Sequence, residues 1–223
     1  MSEKPTLGYW NFGARADPIR TLLYHLEVDF EDKQYTFGDD TSPDSWAMTK
    51  PNLGIHFPNL PYWKDGDMFH SEMLPICRTI CRKYKPEYLG RTMSEQVYVD
   101  SYMDSIMSQT LEWFIPNFFL PDYNEKREEG TEKAKTLLDN YCKLLGNNKY
   151  LVGNDITYAD FIFEWVIRSY RCYDERLVNE FPKLVSYLES FSALAGVAAA
   201  KQASEGMLLY SPACGWMSDN MPA

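Results

Sequence analysis

The chain lacks long apolar runs: nothing in its 223 residues approaches the about 18 that a membrane-crossing helix needs. Histidine is scarce. His25, His56 and His70 are the only three, and none falls in a cluster with metal-ligand spacing, so no metal site is expected. Cysteine is sparse too, with five scattered residues. An odd count in a chain of this size argues against a disulfide framework and for free thiols in a reducing compartment. Cys77 and Cys81 stand one helical turn apart, but Cys-x3-Cys is not a dithiol redox motif, and buried thiols are expected. Positive charge is the minority sign, 22 Lys and Arg against 32 Asp and Glu, for a net −10 and a pI near 4.8. Such a chain repels phosphate backbones and anionic membrane surfaces, so neither nucleic acid nor membrane is an expected partner. There is no Gly-rich phosphate loop, no nucleophilic-serine motif and no paired catalytic carboxylate. Glu128-Glu129 and the charges around them read as a solvated helix face. The start, Met1-Ser2-Glu3-Lys4-Pro5, offers no apolar core for a secretory leader, and a cytoplasmic location is the expectation.

What is present suffices for a sizeable core in one or two domains. Thr6 to Trp10 reads as a short apolar strand. Asp17-Pro18 reads as an N-cap followed by proline at the first helical position. Ile19, Leu22, Leu23 and Leu26 then fall on one helical face. Phe30 to Phe37 alternates as a second strand, and 38–44 is an acidic loop. Tyr62-Trp63 and Met68-Phe69-His70 flank Lys64-Asp65-Gly66-Asp67, a hairpin signature. A helix from Ile76 to Tyr84 closes the unit, and this β-α-β, β-β-α order predicts a small mixed sheet. A linker at 85–90 leads into helical pattern.

In that second region Met103, Ile106, Met107, Thr110, Leu111 and Phe114 share a stripe, as do Ala134, Leu137, Leu138, Tyr141, Leu144 and Leu145. Thr157 and Asp160 have capping-box spacing, with Ile156 and Phe161 placed as a hydrophobic staple. The helix they open is apolar on a broad face and should be the buried centre of its domain. The last helix is expected over 181–201, with an irregular tail from Ser204.

The densest signal is Leu53-Gly54-Ile55-His56-Phe57-Pro58-Asn59-Leu60-Pro61-Tyr62. Its prolines hold Phe57 and Leu60 out of helix, with their backbone N–H and C=O free to pair with an added extended peptide. Leu60-Pro61 is also a candidate cis peptide. This stretch resembles the strand-3 turn of cytosolic glutathione transferases, most closely the mu type. The likeness continues at Leu7-Gly8-Tyr9-Trp10, at Trp46 and Lys50, at Asp65-Gly66, and at Asp155-Ile156-Thr157-Tyr158-Ala159-Asp160-Phe161. It covers nearly the whole chain.

The resemblance implies a two-domain chain of α+β and all-α parts. A thioredoxin-like, mixed-sheet, glutathione-binding domain would span 1–86. An all-helical domain with the electrophile pocket and irregular tail would span 87–223. A phenol at the end of a buried strand can donate a hydrogen bond that favours thiolate over thiol, and the resemblance gives Tyr9 that catalytic role. It places Trp10, Trp46 and Lys50 at the glycine end of glutathione. Asn59, Leu60 and Pro61 would pair with the cysteinyl part. The Gln-Ser pair with which the family grips the γ-glutamyl carboxylate falls on Glu72 and Met73; a shifted alignment would put Ser71 there instead. Met73 has no hydroxyl to give, although its backbone N–H near a helix start remains. Glu72 can face the ligand's amino group but repels its carboxylate. Pro75 fits only in a first helical turn.

Other positions depart as well. The arginine that assists mu enzymes has no counterpart in the loop from Gly38 to Ser45. The second pocket tyrosine of mu enzymes falls on Asn117-Phe118-Phe119-Leu120, and their acidic residue facing the partner subunit falls on Ser108, one turn after Asp104. An apolar pocket lined by Phe12, Met107, Leu111, Phe119 and the tail's Met207 to Tyr210 is therefore expected. Phe57 would plug the other subunit of a homodimer. The expected activity is conjugation of the glutathione thiolate to hydrophobic, detoxification-type electrophiles. The alternatives are a silent relative serving as hydrophobic-ligand carrier or scaffold, and a glutathione-dependent isomerase of the sigma type.

Overall fold

The computed structural model of the chain describes residues 3–120, 122 and 125–211. These form two units: residues 3–85 with Gly196–Ser211, and residues 86–195. The first is built on a four-stranded sheet of β1 (Thr6–Trp10), β2 (Glu31–Tyr35), β3 (Tyr62–Asp65) and β4 (Met68–Ser71), in the order β2-β1-β3-β4. β1 runs parallel to β2 and antiparallel to β3, which pairs antiparallel with β4. That is the mixed sheet the pattern predicts, with β2 shorter at both ends.

Gly8 has a clear reason to be glycine. It pairs with Tyr62, and a Cβ at Gly8 would lie 2.1 Å from the Tyr62 ring. The hairpin turns at Gly66 with φ +59, a conformation glycine adopts without steric cost.

Helices α1 (Asp17–His25) and α3 (Met73–Tyr84) pack against one another. Ile19, Leu22 and Leu23 on one, and Ile76, Cys77, Ile80 and Cys81 on the other, are fully buried. Both thiols are thus core groups, and burial pushes Cys77 up to about 12 and Cys81 up as well. At the far end of α3, Lys83 donates to both oxygens of Asp65 at 2.7 and 2.6 Å, clasping β3 to the helix.

Three boundaries differ from expectation. A 3-10 turn, Ala14–Ala16, feeds α1 directly, so Asp17 is its first residue and Ala16 holds the N-cap position. Pro18 still sits where no helical N–H is needed. α3 begins at Met73, three residues early, because Glu72 turns sharply there with φ +80. A short helix α2 (Trp46–Thr49), capped by Ser45, follows the acidic loop and was not predicted.

The second unit contains α4 (Met93–Phe114), α5 (Arg127–Leu145), α6 (Tyr158–Tyr173), α7 (Glu175–Asn179) and α8 (Pro182–Ser192). α4 opens with a capping box, Thr92 with Glu95, and runs into a π-helical turn at Ile115–Phe119. The π turn buries Phe118 completely and leaves Phe119 49% exposed.

α6 is the buried centre, with Tyr158, Phe161, Ile162, Trp165 and Val166 all at 5% exposure or less. Its predicted capping box is present. Asp160, wholly buried, accepts the N–H groups of Leu151 and Thr157, both at 2.8 Å. It also accepts the hydroxyls of Thr157 and Tyr187, both at 3.0 Å. Burial pushes this carboxyl up, and the four donors pull against that.

The single last helix expected over 181–201 is in fact two, α8 and α9 (Ala195–Ala203). α8 carries a bulky buried stripe, Leu184, Tyr187, Leu188 and Phe191, whereas α9 is alanine-rich. At Gly196 a Cβ would meet the His25 backbone at 2.3 Å, so only a small-residue segment approaches α1 this closely. With 204–211 it belongs to the sheet unit.

Replacing Asp160 by alanine strands two backbone N–H groups and two hydroxyls. The expected loss is about 3 kcal/mol or more, read as a lower denaturation midpoint with helical circular dichroism as signal. Thr92→Ala, at a half-exposed box, is expected to cost about 1 kcal/mol. Equal small losses would show that the buried network adds nothing beyond an ordinary cap.

Candidate functional site

Tyr9 sits at the C-terminal end of β1, 5% exposed, with its ring edge-on to Phe12. Its hydroxyl accepts the Arg15 N–H at 3.4 Å and gives its own proton to none of the described residues. Burial pushes the phenol up, while the Arg15 N–H and the charges of Arg15 and Arg20 pull it down. The net direction is up, so near neutrality the group is an uncharged O–H donor.

Arg20 holds this corner together. It is 5% exposed, and its Nε donates to both oxygens of Asp32 at 3.1 Å. Nη1 donates to the Phe12 carbonyl at 2.9 Å and Nη2 to the Trp10 carbonyl at 3.3 Å. Neither Arg15 nor Arg20 stood out in the sequence. The available signal for Arg20 was a cation set within the apolar turn Ile19 to Leu23.

Trp10 faces an aromatic cluster: Phe37 at 5.2 Å, with Phe12 and Trp46 each at 6.5 Å. Trp46 is 9% exposed, stacked on Tyr62 and edge-on to Tyr35. It is thus a packed wall, held in place by the ring that lies over Gly8. Lys50, one helical turn later, is exposed, and no described residue engages its ammonium.

The Leu60–Pro61 peptide is cis. The expectation of free backbone groups in this turn is corrected at two points. The Leu60 N–H is donated to Asn59 Oδ1 at 2.9 Å, and the Phe57 carbonyl accepts the Ser71 hydroxyl at 2.8 Å. An exposed turn satisfies its own polar groups where side chains reach them. Asn59 also donates Nδ2 to Glu72 at 3.1 Å.

Glu72 is exposed, and its carboxylate lies 4.0 Å from the Arg15 guanidinium. Its φ of +80 is a strained conformation for a residue with a side chain. Met73 turns its side chain into the core, at 4% exposure, leaving only backbone for a ligand. The Ser71 hydroxyl is taken by Phe57, which argues against the shifted alignment.

Phe12 is buried and belongs to the sheet unit. In the helical unit Met107 is 9% exposed, Leu111 half-buried and Phe119 exposed, while Asp104 and Ser108 face solvent. Phe57 is 83% exposed. Met207 to Tyr210, expected as pocket wall, lies on the loop after β1: the Leu208 and Leu209 carbonyls accept the N–H groups of Gly13 and Ala14. No cluster of three potential metal-ligating His, Cys, Asp or Glu side chains occurs among the described residues. No described helix is long and apolar enough to cross a membrane.

The arrangement can therefore present an uncharged phenolic donor under the positive charge of Arg15 and Arg20, with an aromatic wall around Trp10. It suits an anion. Comparison with known proteins points the same way. Residues 5–80 match the family model for the glutathione S-transferase N-terminal domain, and residues 110–203 the model for the C-terminal domain. A glutathione S-transferase of Tyrophagus putrescentiae is 36% identical over 97% of this chain and 98% of its own. Glutathione S-transferase Mu 2 of Mus musculus is 32% identical over 85% of this chain and 86% of its own. Among solved structures, the Pi-class glutathione S-transferase of Onchocerca volvulus superposes with a TM-score of 0.82. It covers 95% of this chain and 100% of that one at 18% identity, a likeness of fold alone.

Proposed function

The chain belongs to the glutathione S-transferase family, and from that premise we propose that it conjugates glutathione to hydrophobic electrophiles through Tyr9. One observation carries the reading. The Tyr9 hydroxyl takes a hydrogen bond from Arg15 and keeps its own proton for a ligand. Offered to a sulfur, that O–H stabilises thiolate more than thiol. The thiol proton leaves to solvent, the thiolate sulfur bonds to the electrophilic carbon, and a leaving group departs or a π-electron pair shifts. A silent carrier needs no such donor, which favours catalysis over the carrier reading.

Around that sulfur, Trp10, Trp46 and Lys50 are proposed to meet the glycine end, with Lys50 as the cation. Asn59, Leu60 and Pro61 are proposed to meet the cysteinyl part. Because the Leu60 N–H is already bonded to Asn59, the ligand carbonyl has to displace that side chain. Glu72 and the Met73 backbone are proposed at the γ-glutamyl end, Glu72 facing its ammonium with Arg15 behind. Phe12, Met107, Leu111 and Phe119 are proposed to receive the electrophile. The protein is proposed to be mu-like, cytoplasmic and a homodimer whose partner covers Phe57, an aromatic too exposed to be left in water without cost.

Bound glutathione is expected to ionise below its solution value, and Tyr9→Phe to abolish most of that shift while sparing affinity. Thiolate absorbance followed against pH decides it; superimposable titrations of the two proteins would remove Tyr9 from the mechanism.

Restoring the family pair, Glu72→Gln with Met73→Ser, is expected to tighten glutathione about tenfold, the worth of one hydrogen bond to a charged group. A ligand lacking the γ-glutamyl group should gain nothing. Calorimetric titration of both ligands checks this, and equal gains would mean that these two residues do not face that group.

Light scattering at micromolar concentration is expected to give the mass of two chains, and of one for Phe57→Ser. A single-chain mass for the unaltered protein would refute the dimer.

A further inference from the structure

We propose that the C-terminal segment Met207–Leu209 is a positioning element for Tyr9, its carbonyls holding the Gly13–Ala14 turn so that the Arg15 N–H reaches the Tyr9 hydroxyl. Its catalytic consequence rests on the role given to Tyr9 above; its structural content does not.

Three successive N–H groups are involved. Gly13 donates to the Leu208 carbonyl at 2.8 Å and Ala14 to the Leu209 carbonyl at 2.6 Å. Arg15 donates to Tyr9 at 3.4 Å. Gly13 has φ −67 with ψ −82, and Ala14 has φ +38, so φ changes sign between successive residues. Such a sequence forms a nest, turning consecutive N–H groups toward one concave side. Here the segment occupies two of them and leaves the third for Tyr9.

The left-handed state is unfavourable for alanine and persists only where surroundings impose it. The two carbonyls of Leu208 and Leu209 supply that constraint. The segment is itself anchored. Met207 N–H bonds the Ser204 carbonyl at 2.9 Å, and its sulfur lies 3.6 Å from Arg20 Nη1. A Cβ on Gly13 would approach the Leu209 carbonyl to 3.2 Å, tight enough to push the segment back.

Without the segment, Ala14 relaxes and the Arg15 N–H turns away from Tyr9. The phenol then becomes a weaker acid, hence a poorer donor to a thiolate. Gly13→Ala leaves the charged groups around Tyr9 the same: Arg15 and Arg20, Asp32 paired to Arg20, Glu72 near Arg15, and Asp17 beside Gly13. Ending at Gly206 adds a terminal carboxylate one residue before Met207, so the shift in Gly13→Ala is the one that reports the N–H.

The test compares four proteins: the full chain, a chain ending at Gly206, a chain ending at Ser211, and full-length Gly13→Ala. Each is paired with its Tyr9→Phe counterpart. Tyr9 ionisation is read without ligand as the ultraviolet difference within each pair, and bound glutathione ionisation by thiolate absorbance. Ending at Gly206 is expected to raise both values by about one unit, a tenfold loss of thiolate near neutrality. Glutathione affinity should change much less. Ending at Ser211 should leave the Tyr9 value in place, and Gly13→Ala should raise it by a smaller amount. Adding Ala14→Gly to the chain ending at Gly206 should restore part of the shift, since glycine holds a positive φ unaided.

An unmoved Tyr9 value in both the shortest chain and Gly13→Ala overturns the proposal, as does an equal rise on ending at Ser211. If the shortest chain does not fold, Gly13→Ala decides alone. A rise in the Tyr9 value with no change in bound thiol, even for Tyr9→Phe, upholds the positioning and overturns Tyr9's catalytic role.

Discussion

The fork of Arg20 is the interaction on which the chemistry-bearing corner depends. One buried guanidinium spans the Asp32 carboxylate and the carbonyls of Trp10 and Phe12. Only a planar, multi-donor cation can do this; a lysine offers a point charge and would leave a carbonyl unmet. Asp32 is available because the parallel β1–β2 register sets it beside Leu7, on the edge strand of the sheet. Strand register and side-chain chemistry thus fix the same loop. Loss of one partner in a fully buried pair costs about 3–5 kcal/mol. Here Asp32 retains 25% side-chain exposure, so solvent screening puts the value below that range.

An acidic chain that handles an anionic tripeptide poses a question of scale. The net charge of −10 is spread over the whole surface, and salt screens it beyond about 8 Å. What acts at close range is local: the charges of Arg15 and Arg20 bear on Tyr9, and the Glu72 carboxylate is partly offset by Arg15 at 4.0 Å. Local arrangement outweighs the global sign.

Periodicity and punctuation were enough to read most of the frame. Ile19, Leu22 and Leu23, the Asp65-Gly66 hairpin, the α4 and α5 stripes and the Thr157–Asp160 box are all local patterns, and each is present. The failures are non-local. Glu72 adopts its positive φ at the start of α3 while its carboxylate accepts from Asn59, thirteen residues earlier. The break between α8 and α9 reflects a docking surface at His25 about 170 residues earlier, invisible to any helical window. The packing of Trp46 between Tyr62 and Tyr35 joins segments that no local pattern connects. Arg15, Arg20 and the Leu208–Leu209 carbonyls matter through contacts between distant segments, and two of those three act through backbone.

The start of α3 likewise offers backbone rather than side chain. Met73 sends its side chain into the core, where a thioether fits irregular space well. Its N–H, first in the helix, remains one of the unsatisfied donors that every helix start presents. Glu72 keeps its sharp turn, and its carboxylate still receives the Asn59 amide. The Arg15 guanidinium at 4.0 Å offsets part of the Glu72 charge. A geometry written in main-chain donors survives side-chain replacement, whereas one written in a hydroxyl does not. The Gly13–Arg15 turn beside Tyr9 is of the first kind, its N–H groups meeting the Leu208 and Leu209 carbonyls and the Tyr9 hydroxyl.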